Sequence, residues 1–303
     1  MTVVVLGAGR GIGWEIARQL VADGRETRAV TRSGGVPEGA ADVRADLLDR
    51  TATIEAVRGA SVVHLAANVP YPSWADTLPT LYDNAVAAAE AAGAKLVLAD
   101  NLYSYGPVSG PLTEDTPERP AGPKEKLRST LGKRLREAAV PVVLGRSSDY
   151  YGPHGIGSLV GELVVKPLAL GKQAMWFGPL DVPHTFAYLG DTAHAQIVLG
   201  DDEHADGRVW HTPAARTVTV REFIALAGRV LDNRRKPLRL PKATVALAAL
   251  FDRRLRGMGE LDHQWTRPWV VDHSAFERTF GSLPATPHEE AVARTAEWYR
   301  TRP

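Results

Sequence analysis

The 303-residue chain contains no cysteine. Disulfides, thiolate nucleophiles and Cys-ligated zinc or iron–sulfur centres are thereby excluded, and any redox chemistry must be carried by a bound cofactor. Long hydrophobic runs are also lacking: the longest apolar-rich stretch, Ala243 to Phe251, is too short to span a bilayer, which needs ~20 residues. The opening run Val3-Val4-Val5-Leu6 follows Met1-Thr2 directly and is ended by glycine, which does not suit a secretory signal. A cytoplasmic location is therefore expected. Nor is there an excess of one charge. A formal net charge of +1, without a Lys/Arg run interleaved with aromatics, removes the counterion-release drive toward nucleic acid. The histidines show no His-x-x-x-His or facial-triad spacing, so no metal site is expected. A Gly-x-Ser-x-Gly elbow is missing as well.

What remains is the composition of a compact globular protein, 44% hydrophobic and 23% charged, with enough residues for one or two domains. The first half alternates β-branched runs with amphipathic stretches, the mark of a parallel sheet covered by helices. Val3–Leu6, Thr27–Thr31, 61–65, 95–99 and 140–144 are predicted strands. Ile12, Ile16 and Leu20 recur every four residues and predict a helix between the first two. The alanine-rich stretch 74–92, closed by Gly93, and the stretch 124–139, stopped by Pro141, predict two more. After Arg146, glycine and proline break up the apolar runs, and further helices are predicted over 219–231, 241–256 and 287–300. The expected division is a core over 1–146 with a return strand and helix near 185–200, and a mainly substrate-binding portion over 147–303.

Leu6-Gly7-Ala8-Gly9-Arg10-Gly11-Ile12-Gly13 follows a strand and opens a helix. In that context a glycine-rich turn presents backbone N–H groups and a helix N-terminus to a pyrophosphate; the alternative is an ordinary tight turn without a ligand. Ile12 stands where a literal G-x-G-x-x-G would place its third glycine, but Gly7-x-x-x-Gly11-x-Gly13 is present, a spacing that resembles the short-chain dehydrogenases/reductases. The end of the second strand reads Thr31-Arg32-Ser33, with no carboxylate for a ribose 2′-hydroxyl. Arg32 offers a planar donor fork suited to a 2′-phosphate, with Arg10 as a second cation, or else is a solvated surface charge. NADP is expected in preference to NAD.

The order of these elements, followed by Tyr105-Gly106, Arg146 through Tyr151-Gly152-Pro153, Tyr188-Leu189-Gly190-Asp191 and 269–275, resembles the extended and atypical short-chain dehydrogenases of the NAD-dependent epimerase/dehydratase family. The resemblance covers essentially the whole chain. It implies an α/β fold: a doubly wound parallel Rossmann sheet with helices on both faces and a small C-terminal substrate lobe. It also assigns Asp46 and Leu47 to the adenine edge, with Asp49 open as a helix N-cap. Leu65, Ala66 and Ala67 become the small stretch along which the cofactor's ribose approaches the backbone.

The resemblance breaks at the chemistry. Family members carry Ser or Thr four residues before the Tyr of Tyr-Gly, where this chain has Asn101, and a Tyr-x-x-x-Lys pair on the next helix, where it reads Lys124-Glu125-Lys126-Leu127-Arg128. Reduction of a carbonyl leaves an alkoxide that needs a proton donor. One candidate is Lys124, in a first helical turn whose dipole, together with Arg128 one turn along, favours the neutral amine, with Arg128 holding a phosphate, ribose or substrate carboxylate. The rival is Tyr103, which shares one side of a loop with Asn101 and Tyr105. Asp149, Tyr150, Tyr151 and His184 are expected near the cleft in structural roles. The leading expectation is an NADPH-dependent reductase of a small carbonyl, imine or activated alkene. The alternatives are a redox-neutral epimerase or dehydratase, and a sensor that binds the dinucleotide without turnover. The expected partner is a small-molecule substrate, with neither nucleic acid nor membrane, and a homodimer is left open.

Overall fold

A computed structural model describes residues 1–241 and 258–301. The predicted helix over 241–256 lies almost wholly outside the described residues. β1 (Val3–Leu6), β2 (Thr27–Thr31), β3 (Ala41–Arg44), β4 (Val62–Leu65), β5 (Lys95–Asn101), β6 (Val142–Ser147) and β7 (Val209–His211) form a seven-stranded sheet in the order β7-β6-β5-β4-β1-β2-β3. Every pairing is parallel. β1 and β4 are buried along their whole length, which is why they read as continuous apolar runs rather than alternating ones.

One face is covered by α1 (Gly11–Ala22) and α5 (Leu189–Asp201), which bury Ile12, Ile16 and Leu20 against Val3, Val5 and Leu199. The other is covered by α2 (Arg50–Val57), α3 (Trp74–Ala92) and α4 (Pro123–Leu135), around Leu78, Leu81, Leu96 and Leu131. The Asp49 side chain accepts a hydrogen bond from the Ala52 N–H at 3.0 Å and caps α2. This is the fold implied by the resemblance.

Two differences matter for the site. The strand that returns to the central sheet is β7, beyond the expected 185–200. Phe186–Tyr188 instead pairs with Asp149–Tyr151 in a separate two-stranded sheet. β3, which no apolar pattern announces, forms the edge of the sheet, and its residues are largely exposed. The C-terminal portion has its own core, in which α6 (Val220–Val230) and α7 (His288–Thr301) pack Phe223, Ile224, Val292 and Tyr299 against Tyr151, Val164 and Phe186. Among the described residues no helix is long and apolar enough to cross a membrane.

Candidate functional site

The carboxyl ends of the strands form two adjoining regions. At the first, β1 runs into the glycine loop. Gly7 has φ +92°, and a Cβ there would lie 2.5 Å from Ala67 Cα; a Cβ on Gly13 would lie 2.4 Å from the Gly7 carbonyl oxygen. The loop is thus closed tightly on itself and on the end of β4, which requires glycine at both positions. Gly9 differs, since a Cβ there would come no nearer than 3.4 Å, to Gly34 O, so its bare backbone leaves room for a ligand. Of the first four α1 N–H groups, Gly11 donates to His154 O at 3.0 Å and Trp14 to Arg10 O at 3.4 Å. Ile12 and Gly13 have no backbone acceptor among the described residues and are the orphan donors that an anion at a helix N-terminus uses. The His154 ring stacks on Trp14 at 3.6 Å, tying the Gly152–Pro153 loop to this corner.

Beside it, Arg32 and Ser33 are exposed, and Arg32 has no ion-pair partner among the described residues. A cation missed by the sequence reading stands next to them. Arg44, opposite Thr31 in the β2–β3 register, lays its guanidinium over Gly34 and pairs with Asp42 at 2.9 Å. Asp46 accepts from the Leu48 N–H, and the carbonyl of buried Leu47 accepts from Asn84 Nδ2 at 2.9 Å. Leu65 is buried at the end of β4, with Ala66 and Ala67 half-buried beyond it. Arg10 is exposed and close enough to Tyr150 for its charge to act on that phenol. The glycine turn, the open space at Gly9, the two orphan N–H groups and the small residues after β4 fit a dinucleotide.

The second region lies beyond β5 and β6, where Asn101 is paired in register with Ser147. Buried Asp100 takes a hydrogen bond from Arg128 Nη2 and another from Arg146 Nε at 3.0 Å, while Arg146 Nη2 reaches Glu118 at 2.6 Å. Burial alone would raise the Asp100 carboxyl, but the two guanidiniums outweigh it and hold the group below its usual range. The remaining Arg128 contact goes to Tyr82 OH at 2.5 Å. Arg128, expected to hold a phosphate or substrate group, is buried and commits two N–H donors to Asp100 and Tyr82, because an unpaired buried guanidinium would be costly.

Tyr105 donates to His211 Nε2 at 2.8 Å. Burial lowers the His211 imidazole to about 4, so the ring is neutral, with Nδ1–H donating to Asp272 O at 3.0 Å. The Asn101 side-chain oxygen accepts from the Tyr103 N–H at 3.0 Å and orients that turn. The Tyr103 hydroxyl lies 2.7 Å from that of Tyr71. Burial pushes Tyr71 up to about 12 and Tyr103 well above its ordinary value, and the charge of Asp149 acts in the same direction on both. Asp149 Oδ2 is 3.0 Å from His184 Nε2, and the His184 ring is stacked between Trp265 and Phe186. Lys124 sits near Tyr71, with Nζ 5.9 Å from the ring centroid, but is paired with Glu260 at 2.9 Å, a partner that the sequence reading did not foresee.

Asn101, Tyr103 and Lys124 are thus gathered at one region, and Arg128 lies beneath it. The sequence reading missed Tyr71, Asp100, Glu118 and Glu260. An aromatic between Pro70 and Pro72, in the loop after a central strand, was the available signal for Tyr71.

A parallel α/β sheet with a glycine-cradled helix N-terminus at its switch point defines the class of Rossmann dinucleotide folds. Within that class, the chain belongs to the NAD dependent epimerase/dehydratase family, whose model matches residues 3–211. No curated protein gives a significant sequence match. Similar solved structures include a UDP-glucose 4-epimerase of the hyperthermophilic eubacterium Thermotoga maritima, solved with UDP-glucose (18% identity, 99% of each chain, TM-score 0.81). A UDP-glucose 4-epimerase of Thermus thermophilus complexed with NAD is similar (19%, 100% of each chain, 0.78). So is a UDP-glucuronic acid 4-epimerase of Bacillus cereus, solved with UDP-glucuronic acid and NAD (15%, 99% of each chain, 0.79).

Proposed function

We propose that this protein holds a nicotinamide dinucleotide along the ends of β1, β2 and β4 and uses it to oxidise and re-reduce one carbon of a small hydroxylated substrate, without net redox change. The observation that carries this reading is whole-chain similarity to 4-epimerases combined with an intact glycine cradle. It reverses the order of expectation, in which net reduction came first. Ile12 and Gly13 N–H groups, with Gly7, Gly9 and Gly11 shaping the turn, receive the pyrophosphate. Leu65, Ala66 and Ala67 leave space for ribose, and Asp46 and Leu47 border the adenine. Arg32 beside Ser33, in place of a carboxylate, supports NADP over the NAD held by the neighbours.

The bound nicotinamide supplies a site that accepts and returns hydride. Tyr103, kept protonated by burial, donates to or receives from the substrate oxygen, with Tyr71 sharing its proton and Asn101 fixing its backbone. Lys124, held by Glu260, borders the cleft and is the second candidate donor.

The test is turnover by cofactor-loaded protein with UDP-glucose, UDP-glucuronic acid and a set of carbonyl and enone compounds. An isomerised product with no net loss of reduced cofactor is expected. Stoichiometric NADPH loss would favour the reductase reading, for which the basic Arg32 is the supporting observation. Binding with neither outcome would leave a sensor. Tyr103→Phe should lower the rate by about 100-fold or more while cofactor affinity is unchanged; if Lys124→Met does so instead, the donor is Lys124. Arg32→Ala should cut the NADPH-over-NADH affinity ratio about 10–100-fold, the worth of one charge-assisted contact. An unchanged ratio would remove the NADP assignment.

A further inference from the structure

We propose that the edge formed by residues 170–173 and 233–240 is a basic, partly apolar surface that seats the protein on an anionic lipid bilayer. It lies in the C-terminal portion and stands independently of the hydride-transfer reading. The two segments are tied side by side. Asn233 Nδ2 donates to Leu168 O at 3.1 Å and to Lys172 O at 2.8 Å, and Gln173 Nε2 donates to Lys236 O at 3.2 Å. The Leu238 and Leu240 N–H groups donate to Ala174 O and Trp176 O, each at 2.8 Å, which continues the pairing of 238–239 with 175–176. What these segments present to solvent is charge and leucine. Lys172, Arg234, Arg235, Lys236 and Arg239 are exposed, and none of them forms an ion pair among the described residues. Leu170 and Leu238, in the same two segments, are 37% and 49% exposed. Nearby carboxylates leave the surface basic. Asp181, which feels the charge of Arg239, is already held by Arg221 at 2.8 Å, and Asp232 is a single exposed acid against five cations.

The charge is set against the rest of the chain. Over residues 229–256 nine arginines and lysines stand against two aspartates, in a chain whose net charge is only +1, so the remainder is net negative. Such a separation turns the basic edge toward an anionic leaflet, where each cation near the surface adds to an attraction that fades within a Debye length, about 10 Å at 0.1 M salt. The exposed leucines select the partner. A bilayer interface takes up apolar side chains beneath a ring of cations. A nucleic acid gains little from leucine and calls for stacking aromatics, which the exposed residues of these two segments lack. Past Leu240 the sequence keeps the same composition, with Lys242, the apolar-rich run 243–251, and Arg253, Arg254 and Arg256, all outside the described residues. Adsorption to a surface needs no spanning helix, so it is compatible with the absence of one among the described residues. The expectation of no membrane partner is the one that this proposal reverses.

The test is sedimentation of the full chain with vesicles of phosphatidylcholine alone and of phosphatidylcholine mixed with phosphatidylglycerol. Binding is expected to the anionic vesicles at low salt, not to the neutral ones, with release in about 1 M salt, where the Debye length falls to about 3 Å. Replacing Arg234, Arg235 and Lys236 together by glutamine should weaken that binding about 10–100-fold. Leu170→Gln combined with Leu238→Gln should weaken it about 3–10-fold. Replacing Lys133, Arg134 and Arg136 of α4 by glutamine removes the same charge elsewhere and should change it less than about twofold. Thermal melting establishes that each variant is folded; if the first triple variant is not, Lys172→Gln with Arg239→Gln takes its place. Failure of the wild-type protein to bind anionic vesicles at low salt overturns the proposal, as does unchanged binding in a folded edge variant, charged or apolar. An equal loss in the α4 variant would make the attraction one of net charge and overturn it too. A DNA duplex held more tightly than the vesicles, and released by the same edge substitutions, would assign the surface to nucleic acid instead.

Discussion

The two regions at the carboxyl edge of the sheet are built of different materials. Around β1, β2 and β4 the wall is backbone: a glycine turn, small residues and peptide N–H groups, with no buried ion pair between side chains among the described contacts. Around β5 and β6 the wall is charge: Asp100, Arg128, Arg146 and Glu118 form a buried network under the Tyr71–Tyr103 pair. A corner made of backbone fails when atoms are added to it. A corner made of paired charges fails when atoms are taken away, since each removal strands a partner in a medium that cannot solvate it.

The largest expected effect is on the charged side. Asp100→Ala leaves two buried guanidiniums without their shared carboxylate and should cost about 3–5 kcal/mol in urea unfolding. A loss below 1 kcal/mol would mean that the network is not the support described. Because the folded Asp100 carboxyl is held below its unfolded value of about 3.9, its contribution is present above that pH and fades as acid approaches the folded value. The variant should therefore lose stability less steeply below about pH 4. On the backbone side, Gly13→Ala forces a methyl to 2.4 Å from Gly7 O and should cost about 1–3 kcal/mol. Dinucleotide binding, followed by titration calorimetry, should weaken together with that stability. Tight binding in a stable Gly13→Ala protein would break the comparison from the other side.

His64, on β4 between the two regions, should give a smaller and more gradual effect. Burial, then the charges of Arg25 and Lys95, lower its imidazole to about 3, so it is folded neutral. The unfolded chain binds a proton below about pH 6.5, and stability is lost as pH falls from there toward 3. His64→Leu should flatten that slope by up to one proton, about 1.4 kcal/mol per pH unit. An unchanged slope would mean that His64 carries no such linkage.

Five of the sheet's strands, the helices α1 and α3, and the Asp49 cap were legible because each depends on residues close in sequence. Periodicity, a capping oxygen or a glycine after a strand leaves its mark within a few positions. β3 left none, since an exposed edge strand need not alternate. The glycine cradle was legible for the same local reason.

The commitments of the charged residues were not legible. Lys124 and Arg128 share a helix turn and looked like neighbours free to act, yet one is held by Glu260 and the other by Asp100. Tyr71 meets Tyr103 across 32 positions, Asp149 meets His184 across 35, and Arg146 meets Asp100 across 46. Ion pairs and hydrogen bonds at such separations obey no sequence period. Their partners are chosen by burial, which forces each desolvated charge to find a counter-charge wherever the packed chain provides one. The sequence alone therefore determined the dinucleotide fold and the cradle, through short-range backbone geometry. The tertiary structure decided which side chains are spent on one another, Tyr71 with Tyr103 and Asp149 with His184 among them.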